Sequence, residues 1–179
     1  MANRSKKVVL SARVPSYLKA GIDITSTCLN KSTVSIIEEQ LEDLIDTTSI
    51  TFPVVLSSER FARRERLSIR KLMSYIWNDD EIIFKLRIGI IGDHIAGSIL
   101  SRVADWACND LFKGEYPLFG DLNGHLTQNP EEFDVIEKHI DLEKVRAEWD
   151  TLNAYMEFLE KNKPLNPSYE QYKKMLNNS

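Results

Sequence analysis

The apolar positions change period along the chain, and the changes mark the elements. From Val8 to Val14 the order Val-Val-Leu-Ser-Ala-Arg-Val alternates, so an extended chain puts Leu10, Ala12 and Val14 on one face and Lys7, Val9, Ser11 and Arg13 on the other. Pro15 lacks an N–H and ends this strand. Ser16 can then cap a helix with Leu18, Ile22 and Leu29 at near-helical spacing. Asn30 tolerates the left-handed conformation of a tight helix–helix turn, and Ser32 can cap a second helix with Val34, Ile37, Leu41 and Leu44 on one stripe. The unit reads strand, helix, turn, helix. Its acids Glu38, Glu39, Glu42, Asp43 and Asp46 form a solvated face.

After Asp46 the stretch Thr47–Pro53, rich in β-branched and small polar residues, suits a linker or short strand, and a boundary is placed there. Ser57 or Ser58 can cap a helix through Arg64, the triplet Arg66-Leu67-Ser68 can turn, and Ser68 can cap a helix through about Trp77. Phe61, Ala62, Leu67, Leu72 and Tyr75 fall inward. Asn78-Asp79-Asp80 makes a turn, and the branched run Ile82 to Ile91 predicts a strand. Asp93 can cap a helix with Ile95, Ile99, Val103 and Trp106 on one stripe, closed by Lys113-Gly114. Residues 115–128 read as a loop. Asn129-Pro130-Glu131-Glu132 opens another helix, and Asp141 opens a longer one to about Asn162, with Val145, Trp149, Leu152, Met156 and Leu159 recurring every three or four residues. Two heptads are too few for a coiled coil, so this seam is read as core. Pro164 and Pro167 precede a short last helix. The fold class is therefore mainly α.

The chain has 179 residues, 42% of them hydrophobic, which is enough for a folded core. Its most apolar runs fall short of the roughly 20 residues that span a bilayer, and the polar start Met1–Lys7 has no apolar segment of signal type behind it. A cytoplasmic protein without a membrane partner is expected. Cys28 and Cys108 lie too far apart in sequence for a ligand motif and are expected as two reduced, packed thiols. The net charge of -4 hides two halves: residues 1–75 hold 12 Lys or Arg against 8 Asp or Glu, residues 76–179 hold 11 against 19. The basic residues cluster at 1–20 and again at 59–71, and two basic patches on an acidic chain suggest contact with a polyanion.

One strand alone would leave its backbone groups unpaired and its apolar face wet, and a second copy of the chain can supply both partners. Two such strands across a two-fold axis make a ribbon whose outer face carries Lys7, Ser11 and Arg13. Over residues 6–47, the strand ending Ser-Ala-Arg-Val-Pro, the helix opening Ser-Tyr-Leu-Lys and the turn Asn-Lys-Ser-Thr resemble a ribbon-helix-helix repressor of the Arc, MetJ and CopG type. The resemblance implies a dimer that inserts its ribbon into the major groove of double-stranded DNA. Lys7, Val9, Ser11 and Arg13 would then lie against bases, and Ser32 and Thr33 would hold a phosphate at a helix start. Val9 departs from the polar reader common in the family; either it touches a thymine methyl or the position does not read sequence.

The stretch 54–91 resembles an excisionase or MerR-like winged helix-turn-helix, with the run Ile82–Ile91 as the wing. Arg66 stands at the usual turn glycine, and Asp79, Asp80 and Glu81 put negative charge where a phosphate is expected. This resemblance implies Arg70, Lys71 and Ser74 at the groove and Arg63 and Arg64 on phosphates. A basic amphipathic helix on an all-helical core fits the same pattern. The acidic region 92–179 is read as an oligomerisation or protein-partner region.

Catalytic patterns are poor. The run Gly89-Ile-Ile-Gly92-Asp-His-Ile-Ala-Gly97 approaches a dinucleotide loop, but His94 occupies the middle glycine position and no βαβ pattern is visible beyond it. His94, His125 and His139 lack companions at metal spacing. No cofactor, metal or catalytic residue is assigned. The expectation is a DNA-binding transcriptional regulator, acting by occupancy as a repressor. The antitoxin of a toxin–antitoxin pair and a plasmid partition or conjugation accessory protein are the alternatives, and a nucleotide-binding enzyme is the remote one.

Overall fold

The computed structural model describes residues 9–51, 53, 66–120 and 138–178. The chain is mainly helical and divides into two compact units, the first ending at Thr47 and the second beginning at Thr48.

The first unit holds α1 (Ser16–Leu29) and α2 (Thr33–Thr47). Residues 9–15 form no strand in the single chain. Their backbone groups meet no parallel or antiparallel neighbour among the described residues, and a strand exists only through such pairing. Ser16 is the first helical residue and not the cap; Pro15 takes the cap position without a side-chain hydrogen bond, its missing N–H being harmless there. Asn30 ends α1 at φ 52°, ψ 41°, the left-handed turn anticipated for it. The Ser32 Oγ accepts from the Ser35 N–H at 3.0 Å and caps α2. Neither helix contains a buried residue: Val34 is 62% and Leu44 57% exposed, and Leu18, Leu29, Ile37 and Leu41 also face solvent. Cys28, expected to be packed, is exposed for the same reason: two short helices have too little apolar surface to enclose anything.

In the second unit β1 (Ser49–Thr51) pairs antiparallel with β2 (Arg66–Ser68), placing Ile50 opposite Leu67. Residues 66–68 are thus a strand and not a turn, because Leu67 is buried and β1 offers pairing. Ser68 accepts from the Lys71 N–H and caps α3 (Ile69–Ile76), whose Leu72, Tyr75 and Ile76 face inward. The expected wing strand at 82–91 is instead helix α4 (Glu81–Ile91). The Asp80 carboxylate accepts from the Ile82 and Ile83 N–H groups at 2.9 and 3.1 Å, starting a helix that two separate cores then cover. Ile83 and Leu86 enter the larger core, while Ile91, with Phe84 and Ile88 against it, enters the smaller one beside Leu72 and Tyr75. A helix buried on two sides is apolar nearly all round and loses the periodicity that would mark it. Its one buried charge, Arg87, is 2% exposed and donates to the Leu118 carbonyl at 2.8 Å and the Trp77 carbonyl at 3.2 Å.

The helix expected from Asp93 to Lys113 breaks at Gly97 into α5 (Asp93–Ala96) and α6 (Ser98–Ala107). Gly92 at φ 134° and Gly97 at φ 80° adopt backbone conformations that other residues rarely reach, so the breaks are fixed by glycine. Asp93 lies inside α5, with Gly92 at its cap. A 3-10 turn (Asp110–Phe112) leads into β3 (Lys113–Pro117), so part of the expected 115–128 loop is strand; β3 pairs antiparallel with β4 (His139–Ile140). The long helix α7 (Leu142–Lys161) starts where Asp141 accepts from the Lys144 N–H, and its seam Val145, Leu152, Met156 and Leu159 is buried core, as its spacing indicated. The last helix, α8 (Tyr169–Asn177), opens on a capping box between Ser168 and Gln171. Residues from α4, α6, α7 and α8 share the larger core, within the one compact unit that begins at Thr48.

Candidate nucleic-acid interface

In the first unit residues 9–15 lead into α1, with Ser11 and Arg13 exposed and Val9 96% exposed. Lys7 lies outside the described residues. At the start of α2 the Ser35 N–H is taken by the Ser32 Oγ and the Ile36 N–H by the Ser32 carbonyl. The Thr33 and Val34 N–H groups have no acceptor among the described residues, as at any helix start, and they point where the helix dipole favours an anion. The Lys31 ammonium beside this turn bonds both oxygens of Glu39 at 2.8 Å, and that hydrogen bond holds the Glu39 carboxyl below the usual carboxylate range. The acids Glu38, Glu42, Asp43 and Asp46 are exposed along α2.

In the second unit Arg70 is exposed on α3, while Lys71 and Ser74 are half-buried. The Lys71 ammonium lies 5.7 Å from the centre of the Tyr75 ring, and the Ser74 hydroxyl donates to the Lys71 carbonyl at 2.7 Å. These two side chains are thus engaged with their own helix. Arg63 and Arg64, with the helix expected to carry them, lie outside the described residues, as does the helix expected from Asn129. The wing of the winged helix-turn-helix does not exist, since its residues form α4. Arg66, read as the turn residue of that motif, instead ties β2 to β1: its Nε donates to the Ser49 Oγ at 2.7 Å.

The glycine run does not form a phosphate loop. Gly89 is inside α4 and buried, and Gly92 and Gly97 terminate helices. His94 and His139 are exposed, and His125 lies outside the described residues. Among the described residues no group of His, Cys, Asp or Glu could hold a metal ion, and no helix is long and apolar enough to cross a membrane.

One feature escaped the sequence pattern. A cleft of about 620 Å³ opens between α6, α7 and the start of α8, with Arg102, Asp105 and Trp106 on one side and Asn166, Ser168 and Gln171 on another. Its walls come from segments some 60 residues apart, and neither wall carries a spacing that marks a site. Comparison with protein-family models, curated proteins and solved structures finds no match to this chain.

Proposed function

We propose that the protein is a dimeric, sequence-specific DNA-binding transcriptional regulator, acting as a repressor through its first unit. One observation carries the reading: two amphipathic helices follow the segment that holds Arg13, yet neither buries a residue in the single chain, and Leu18, Leu29, Val34, Ile37, Leu41 and Leu44 of their apolar stripes are exposed. Such a stripe is stable in water only when covered, and a second copy brings an identical stripe together with a second such segment. Pairing of the two segments across the dimer axis leaves Ser11 and Arg13 on the outer face, with Lys7 beside them by alternation. The Ser32–Thr33 helix start is suited to flank them on the phosphate backbone. The second unit, folded around its own cores, is the region for oligomerisation or a protein partner.

The test is fluorescence anisotropy of the full chain on its own upstream DNA against competitor DNA, across a salt series. A sequence-specific complex is expected, with affinity falling as salt rises because phosphate contacts release counterions. Arg13→Ala is expected to weaken specific binding by about 1–3 kcal/mol, roughly ten- to a hundredfold. Absence of a specific complex at low salt, or an unaltered one in the Arg13 variant, overturns the reading.

A further inference from the structure

The cleft between α6, α7 and α8 combines three features that a small ligand needs: size, a fixed frame and chemistry left unused by the fold. Its volume of about 620 Å³ falls in the range of small-molecule pockets, roughly 300–1,000 Å³. The frame is held from both sides. The Tyr155 hydroxyl donates to the Pro167 carbonyl at 2.8 Å, tethering the approach to α8. The Ser168 N–H donates to the Gln171 Oε1 at 2.8 Å, and the Gln171 N–H returns to the Ser168 Oγ.

The charges are the informative part. Arg102 and Asp105 are one turn apart on α6 and so are neighbours on the helix surface. Arg102 uses one nitrogen on Glu160 at 3.1 Å, and the other Glu160 oxygen accepts from Lys163 at 2.8 Å. The remaining guanidinium donors, and the whole Asp105 carboxylate, have no ion-pair partner among the described residues. A cation and an anion side by side disfavour a ligand of one sign and favour a ligand carrying both. Below them the lining is apolar, formed by Trp106, Met156 and Leu159 with Tyr155 edge-on to Trp106, ring centres 5.6 Å apart. The Trp106 Nε1–H is buried, so this residue presents its apolar ring to the cleft and not its polar edge.

We infer that this cleft binds a free α-amino acid with an apolar side chain, its carboxylate on Arg102, its ammonium on Asp105 and its side chain against Trp106, Met156 and Leu159. The inference stands on the second unit and does not depend on DNA binding.

Isothermal titration of the full chain with L-leucine, L-methionine and L-phenylalanine tests it, with tryptophan fluorescence as a second readout. Saturable binding of at least one is expected. N-acetyl-L-leucine, N-acetyl-L-methionine and N-acetyl-L-phenylalanine, which lack the ammonium, and the three corresponding amino-acid amides, which lack the carboxylate, each bind at least about tenfold more weakly than the parent, since each loses a charge-assisted contact. Asp105→Asn, an exposed change with the thermal midpoint checked, should reproduce the loss seen on acetylation, and Arg102→Gln that seen on amidation. No saturable binding up to about 10 mM of any of the three overturns the proposal. So does equal binding of the acetylated or amidated forms, or undiminished binding by a folded Asp105→Asn protein.

Discussion

Gly89 on α4 faces Ala104 on α6 so closely that a Cβ built on the glycine would stand 2.5 Å from the Ala104 Cβ and 2.8 Å from the Leu100 carbonyl oxygen. At this crossing Gly89 has no side chain and Ala104 only a methyl group, and the contact joins α4 to the larger core. Gly89→Ala is therefore expected to destabilise the second unit by about 1–3 kcal/mol, despite alanine's better helix propensity of roughly 1 kcal/mol. Thermal unfolding would show it. Adding Ala104→Gly should recover only part of the loss, because the Leu100 carbonyl belongs to the backbone and cannot be trimmed.

Asp80 is expected to couple the stability of α4 to acid. Burial by itself would raise its pKa, but hydrogen bonds from the Ile83 N–H, the Arg146 guanidinium and the Ile82 N–H outweigh it and lower the value. A carboxyl lowered in the folded state contributes stability above its ordinary value of about 3.9 and loses it as pH falls through the lowered value. Asp80→Ala should cost about 1–2 kcal/mol at neutral pH by removing the cap, and Asp80→Asn less, because asparagine caps well and gives up only the partly exposed pair with Arg146. Denaturant titrations at pH 7 and pH 3 should show the wild type and Asp80→Ala converging in acid; a constant gap removes the ionised carboxylate from the account.

Cys108 packs against the larger core, and burial pushes its thiol up to about 11. At pH 8 it is almost wholly the unreactive neutral thiol. In a Cys28→Ser protein, a thiol reagent should therefore label nothing in the native state and one site in denaturant. Rapid native labelling would place Cys108 in a more open setting than its contacts describe.

The exposed stripe of α2 predicts the assembly state. Replacing Ile37 and Leu41 by glutamate should leave the second unit folded, since those residues belong to the first unit, and should convert the expected dimer to a monomer in sedimentation. Specific DNA binding should be lost with it. A dimer that survives both changes would have its interface elsewhere.

Elements whose signals are local can be read from the order of residues alone. Caps at Ser32, Ser68 and Asp141 and the left-handed turn at Asn30 act within three or four residues, so the chain displays them directly. The one-sided seam of α7 was legible because a helix buried on one face keeps its 3.6 period. Long-range packing set the other elements. Residues 82–91 look like a strand because branched apolar residues favour one, and they form a helix because Asp80 starts it and two cores cover it on opposite sides. Leu67 leaves its apparent turn for a strand because β1 lies alongside, a pairing that residue types at 66–68 do not encode. The cleft beside Trp106 needs α6 and the approach to α8 brought together over some 60 residues, and no local pattern records which distant side chains a folded chain will set side by side.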